Sequence, residues 1–133
     1  SNSSHFLFQH ETGHDDDGSP MTNVFIESAD FDIGDGEEFQ FIRRCIPDIK
    51  FTGSGENQTI NVVVKARNFP GSDLTTDQTT AITSSTTKVD TRARGRQAVV
   101  RFESDDDAVI DSQLGVGFRV GGTRLDIQPN GRR

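Results

Sequence analysis

The sequence predicts an all-β protein, either an antiparallel β-sandwich or a partial barrel or propeller-associated β domain, with little or no helix. Its composition is the first indication: Ile, Val and Thr supply 32 of the 133 residues, against only 4 Leu and 6 Ala, and β-branched side chains pack best on a pleated sheet. Short alternations of apolar and polar residues at period two are the second, with no useful helical periodicity. The third is turn-forming Gly, Pro, Asn and Asp at intervals of about 8–12 residues.

The first half of the chain predicts several short strands joined by turns. Residues 5–10 place Phe6 and Phe8 on one face and should form a hairpin with residues 23–28 through the acidic turn between them. Phe31 and Ile33 precede a Gly-Asp-Gly turn, after which residues 39–45 alternate again. Pro47 should mark a bulge, an edge or a bend, because proline cannot donate to a central ladder.

The second half contains the clearest strand, residues 60–67, where Ile60, Val62 and Val64 alternate with their neighbours. Residues 73–91 are rich in Thr and Ser and weakly apolar, so we expect a long loop that leads into an exposed strand. Further strands are predicted around residues 99–102, 116–120 and 125–127.

We expect one β-rich domain over residues 1–133, with an acidic strand and turn lead-in at 1–21 and the main β domain at 22–133. Because the strand pattern starts almost at the first residue, the chain should be the C-terminal segment of a longer protein. No apolar run exceeds three residues, which predicts no membrane span. Cys45 is the single cysteine, which excludes an intrachain disulfide.

Charge is divided along the chain. Residues 1–42 hold ten acidic residues and no Lys or Arg, whereas nine of the fourteen basic residues lie from Lys88 onward. This asymmetry favours self-association or a charged partner, and ordinary solvated faces remain the alternative. The interface candidates are Arg92, Arg94, Arg96, Arg101, Arg124, Arg132 and Arg133.

An arginine-rich strand could have two roles. Arg92, Arg94 and Arg96 have the spacing that sets alternate guanidinium groups on one face, where they could contact phosphates. The chain's net charge of −7 and its lack of Tyr and Trp oppose nucleic acid. An intersubunit salt-bridge ladder is therefore the favoured interpretation.

The sequence predicts no catalytic residue and no cofactor. Asp30, Asp32 and Asp35, beside two glycines, are a weak Ca²⁺ candidate, but the order of ligands in an EF-hand is missing, so a hydrated β-turn is favoured. His10 and His14 would share a zinc ion only on a helix, which Gly13 opposes. Cys45 has no His in a recognisable catalytic context and is expected in a core or an interface.

Several segments resemble the C-terminal region of a tail structural protein of short-tailed bacteriophages, of the tail nozzle, tail hub or packaged-DNA stabilisation type. The likeness runs from about residue 22 to the end, and this sequence has Phe118 where family members tend to carry Trp. The segments are GDGEEFQFIRR at 34–44, IPDI at 46–49, KARNFPG at 65–71, RARGR at 92–96 and RLDIQPNGRR at 124–133.

The resemblance implies a non-enzymatic component of a ring that extends and closes the DNA exit channel below the portal. Its partners would be copies of itself, other tail or portal and adaptor proteins, and packaged DNA in transient contact. The expected location is the virion tail, and the host cytoplasm during assembly. Acidic residues that would face the channel and repel DNA are Asp30, Asp32, Asp35, Glu37 and Glu38.

Two other classes of function stay open. One is a free-standing β-sandwich binding module, Ca²⁺-dependent through the Asp30–Asp35 turn and directed at a glycan. The other is a β-rich hydrolase that uses carboxylates, which would need one acid with a strongly perturbed pKa in a pocket.

Overall fold

The computed structural model describes residues 13–16, 18–20, 22–54, 58–105 and 115–131. Within them the prediction of an all-β, antiparallel fold is confirmed, because every sheet is antiparallel and the helical content is one 3₁₀ turn at Gly34–Gly36. The described part contains no helix long and apolar enough to cross a membrane. The strands are β1 (Asp15–Asp16), β2 (Ser19–Pro20), β3 (Phe25–Glu27), β4 (Phe31–Asp32), β5 (Gln40–Ile46), β6 (Ile49–Phe51), β7 (Ile60–Arg67), β8 (Thr75–Ile82), β9 (Val89–Gly95), β10 (Gln97–Ser104), β11 (Phe118–Val120) and β12 (Arg124–Pro129).

Two sheets form the body of the sandwich. The first has the order β3-β10-β7-β8, and β4 also pairs with β10; the second has the order β12-β5-β9. Two short ladders, β1-β2 and β11-β6, complete the described structure. The chain passes from the second sheet to the first between β9 and β10, which pair with β5 and β7 respectively.

One hydrophobic cluster lies between the sheets. Its members are buried apolar residues from both layers: Ile42, Cys45, Ile60, Val62, Val64, Ile82, Val89, Ala93, Ala98, Val100 and Phe102. The alternation expected for β7 is confirmed, since Ile60, Val62 and Val64 are each at most 1% exposed. The core therefore follows from period-two patterning in the strands that line it.

The prediction of a long loop within residues 73–91 is wrong. That segment contains β8 and the start of β9, and β8 pairs with β7 from Ile60↔Ile82 to Ala66↔Thr75. As the last strand of its sheet, β8 needs little apolar surface, and threonine is a good strand former. Among the described side chains of this strand, Ile82 alone reaches the hydrophobic cluster, which explains the weak apolar pattern.

A strand forms where residues 39–45 were expected to alternate, but its buried positions differ from the expected ones. On β5 the buried positions are Gln40, Ile42 and Cys45, while Phe41 is half-buried. In the pairing with β12 the register shifts between Asp126 and Ile127, which leaves Arg43 as one extra residue on β5, and such a bulge moves the following side chains to the other face. The Gln40 amide is buried and donates from Nε2 to the carbonyl oxygen of Phe31 at 3.0 Å.

The remaining expectations have mixed outcomes. Pro47 lies at the bend between β5 and β6, as the sequence predicted. Residues 5–10 of the expected hairpin lie outside the described residues, and β3 pairs with β10 instead, with Ile26 opposite Phe102. The expected acidic turn contains the short β1-β2 ladder, which pairs Asp15 with Pro20.

Candidate functional site

The outer face of the second sheet carries all five arginines of its strands. On β9, the inward-facing Val89, Thr91, Ala93 and Gly95 are buried, so Arg92 and Arg94 lie on the exposed face. The register places Arg94 beside Phe41 of β5 and Arg124 beside Ile46. We define the arginine face as Arg43, Arg44, Arg92, Arg94 and Arg124.

The β5 bulge explains the two arginines that sequence analysis did not include. Arg43 and Arg44 lie between the inward-facing Ile42 and Cys45, and the extra residue on β5 in its pairing with β12 turns both side chains outward. The consecutive Arg-Arg pair was visible in the sequence, but strict alternation would have buried one of the two. The bulge is therefore what adds this pair to the face.

The arginine face holds two carboxylates, Asp90 and Asp126, against its five guanidinium groups. Arg44 Nε lies 3.1 Å from Asp90 Oδ1. This hydrogen bond from Arg44 lowers the pKa of Asp90, and Lys88 and Arg43 add to the effect. Two carboxylates do not neutralise five guanidinium groups, so the face keeps an excess of positive charge.

Arg96 does not continue this face, contrary to the prediction that it shares a ladder with Arg92 and Arg94. The strand ends at Gly95, where the chain turns toward the first sheet, and Arg96 N donates to the carbonyl oxygen of Arg67 at 2.9 Å. Its side chain is half-buried, with NH1 3.3 Å from the Gly36 carbonyl oxygen. The guanidinium carbons of Arg94 and Arg96 lie 4.2 and 5.1 Å from the centre of the Phe39 ring, a favourable cation–π geometry.

Arg101 has its ion-pair partners within its own chain, and its predicted interface role stays a prediction. It lies on the outer face of the first sheet, where Nε is 2.5 Å from Glu103 and NH1 is 3.6 Å from Glu27. Its guanidinium also lies 3.7 Å from the centre of the Phe25 ring. Across the strand pairing, Lys65 Nζ is 2.8 Å from Glu27.

We call this second surface the paired face, and it consists of Glu27, Lys65, Arg67, Arg101 and Glu103 with Asp30. Arg67 forms an ion pair with Asp30 and donates to Gln97 at 2.8 Å. Beneath these long side chains Val63 and Val99 are only 3% and 2% exposed. The two outer faces therefore differ, since the paired face balances three cations against three carboxylates.

The structure separates the acidic candidates. Asp30 is engaged with Arg67, whereas Asp32, Asp35 and Glu37 are exposed around the 3₁₀ turn and Glu38 is half-buried. Within the described ranges, no group of three His, Cys, Asp or Glu side chains is placed to hold a metal ion. The Ca²⁺ candidate Asp30, Asp32 and Asp35 is thus not assembled there, and Arg132 and Arg133 lie outside the described residues.

An apolar cleft is the second candidate site, and sequence analysis did not predict it. It opens between β3 and the strands β11 and β12, and it consists of two adjoining cavities of about 440 and 320 Å³ that share Ile26 and Val120 as lining residues. Val24, Phe25 and Ile26 at its rim are 39%, 53% and 53% exposed. The run of three consecutive apolar residues, Val24 to Ile26, was the signal available in the sequence.

Cys45 is fully buried between the sheets, and burial raises the pKa of its thiol to about 11. A thiol with that pKa carries almost no thiolate near neutral pH. Its environment is that of a core side chain, in agreement with the sequence-based expectation.

No protein-family model matches this chain, and no curated protein sequence matches it significantly.

Proposed function

We propose that this chain is a non-enzymatic structural module of a short-tailed bacteriophage virion, a component of the tail ring that extends and closes the DNA exit channel. The arginine face is the observation that carries the proposal. An exposed, positively charged face on a rigid sheet suits attachment to an acidic surface of a neighbouring protein, because complementary charge steers docking and sets its orientation. The segments that resemble the phage tail family give the proposal its biological setting.

The positions of the charges support an assembly role. The cations and carboxylates of the paired face pair with each other within one chain. They therefore contribute to the stability of that chain, and exposed ion pairs contribute only about 0–1 kcal/mol each. The arginine face instead presents Arg43, Arg92 and Arg124 as exposed cations. A partner with carboxylates at matching positions would pair with them, and repetition of the contact around a ring would multiply its strength.

The partners in this proposal are copies of the chain, other tail or portal and adaptor proteins, and packaged DNA in transient contact. The acidic residues exposed at the 3₁₀ turn, Asp32, Asp35 and Glu37, are the part of the predicted channel surface that this proposal retains. Asp30 is paired with Arg67 and contributes less repulsion of DNA. The proposed location is the virion tail, with the host cytoplasm during assembly.

The first test is the assembly state of the purified chain by light scattering, with negative-stain imaging of any oligomer. A closed ring, or recovery of the chain within tail particles, is the expected result. A chain that stays monomeric in solution and is absent from purified virions would contradict the proposal.

A charge-reversal pair tests the arginine face itself. We expect Arg43→Glu to reduce incorporation into tail particles strongly when the variant replaces the wild type during infection. The matched control is Lys50→Glu, because Lys50 is an exposed cation on β6, outside the arginine face, and the net charge changes equally. Equal incorporation of the two variants would show that the arginine face does not dock the module.

A further inference from the structure

The hairpin tip between β7 and β8 presents an aromatic side chain to solvent. Phe69 is 65% exposed, and the adjoining Pro70 is exposed as well. Tips of hairpins usually carry small polar residues, so this pair is unusual for its position.

The backbone of this tip is well defined by hydrogen bonds. Ser72 donates to the Phe69 carbonyl oxygen from its backbone N at 3.1 Å and from Oγ at 2.7 Å. Gly71 has φ of +81°, and Pro followed by a residue with positive φ is the arrangement of a type II turn. Arg67 NH1 lies 3.4 Å from the Ser72 carbonyl oxygen. Phe69 is therefore a projecting side chain on an ordered support.

The apolar cleft is shaped to receive such a group. Its second cavity, of about 320 Å³, is lined by Ile26, Phe31, Val100, Phe102 and Leu125 among others. The volume lies in the range of small-ligand pockets, about 300–1,000 Å³. Partly exposed Ile26 would gain burial if the cleft were filled.

Tip and cleft are separate parts of the first sheet. In the order β3-β10-β7-β8 the cleft lies along β3, and the tip joins the two strands at the other side. A contact between Phe69 of one copy and the cleft of another is consequently head to tail. Repeated head-to-tail contacts make a ring when the rotation closes.

We propose that Phe69 of one copy inserts into the apolar cleft of the next copy. This inference rests on the proposed function in one respect, since it supplies the copy-to-copy contact of the ring, and it does not involve the arginine face. A buried Phe covers about 150–250 Å², whereas stable interfaces bury about 1,200–2,000 Å². The single contact is therefore weak, and closure of a ring makes it persistent.

Complementary variants test the contact. Phe69→Ser keeps the cleft and removes the projecting side chain, whereas Val120→Trp fills the cleft and keeps Phe69. Each variant alone should associate about 10- to 100-fold more weakly than the wild type, by the usual effect of burying one Phe. Ala81→Ser is the control, because Ala81 is also an exposed apolar residue and lies neither in the cleft nor on the arginine face; it should associate like the wild type.

Mixing the two variants shows the direction of the contact. The NMR methyl signals of Ile26 and Leu125 in labelled Phe69→Ser protein should shift on addition of unlabelled Val120→Trp protein. The Phe69→Ser protein keeps an open cleft, and the Val120→Trp protein keeps the Phe69 side chain that enters it. The double variant Phe69→Ser, Val120→Trp should cause no shift. Thr123→Trp is a second cleft-filling variant if Val120→Trp does not fold by circular dichroism.

The outcomes separate this contact from the ring. Shifts in the mixture, with a wild type that forms only dimers or open filaments, would support the contact and contradict the ring. A closed wild-type ring that survives Phe69→Ser and both cleft-filling variants would overturn the contact and leave the ring standing. Cleft signals that respond to Phe6→Ser with Phe8→Ser, and not to protein concentration, would assign the cleft to the chain's own first residues and overturn the proposal.

Discussion

Gly95 shows how one residue allows the chain to pass between the two sheets. A Cβ built at this position would lie 2.8 Å from the Arg67 carbonyl oxygen and 2.9 Å from the Ala66 Cβ. Both neighbours belong to β7, which is central in its sheet and cannot retreat without loss of pairing. The absence of a side chain at Gly95 is therefore a packing requirement.

We expect Gly95→Ala to lower the free energy of unfolding by about 1–3 kcal/mol, the usual cost of overpacking. Gly122→Ala is the matched control, because a Cβ there meets nothing within 4 Å, and its effect should stay within about 0.5 kcal/mol. Urea titrations followed by circular dichroism measure both. Equal stabilities for the two variants would contradict the packing argument at Gly95.

Two elements depend on their place in a sheet more than on their own sequence. β8 is an edge strand whose contribution to the core is Ile82, which is 1% exposed. The paired face depends on cross-strand neighbours: Glu27 of β3 lies opposite Arg101 of β10, and Lys65 reaches it from β7. Neither arrangement can be read from a single strand.

The strand assignment of β8 predicts a large effect of Ile82→Ala. Removal of a buried Ile side chain should cost about 2–5 kcal/mol, because it leaves a cavity between the sheets. Ile46→Ala, at a position that is 41% exposed, should cost clearly less. A small loss for Ile82→Ala in the same urea titration would support the loop that the sequence suggested for this region.

The paired face predicts a pH-dependent role for Glu27. The hydrogen bond from Lys65 is the main cause that lowers the pKa of Glu27 below its ordinary value of 4.5. A lowered pKa in the folded state contributes stability above the unfolded pKa, and that stability is lost as the pH falls through the folded pKa. Glu27→Gln should thus cost about 0.2–1 kcal/mol at pH 7, and the difference should shrink toward pH 3. A loss of unfolding free energy that stays constant between pH 7 and pH 3 would argue against the ion pairs. The control is Glu37→Gln, beside the 3₁₀ turn.

At the scale of the whole molecule, one hydrophobic cluster joins both sheets. Because the cluster has members on β5 and β9 as well as β7 and β10, loss of either sheet exposes the apolar face of the other. The sheets should therefore unfold together. Cys45 is a natural reporter of this event, since it is fully buried between them and its thiol has a pKa raised to about 11.

We expect one cooperative urea transition with the same midpoint by two probes. The chain lacks Trp and Tyr, so the probes are far-UV circular dichroism and pulse labelling of the Cys45 thiol. Native protein should resist labelling, and the thiol should react only as the sheet signal is lost. Labelling at urea concentrations well below the circular dichroism midpoint would show that the sheets separate before they unfold.

The sequence by itself determined the fold class and much of the strand order in the chain, because period-two patterns and turn residues are local properties. It placed Arg92 and Arg94 on one face for the same reason, and it left Cys45 between a core and an interface position. Only the tertiary structure decided that Arg96 leaves this face at the corner after Gly95, that Arg101 pairs with Glu27 and Glu103, and that the β5 bulge adds Arg43 and Arg44. These facts depend on which strands become neighbours. The cleft beside β3 is lined by residues of β3, β10, β11 and β12, and no single segment carries that information.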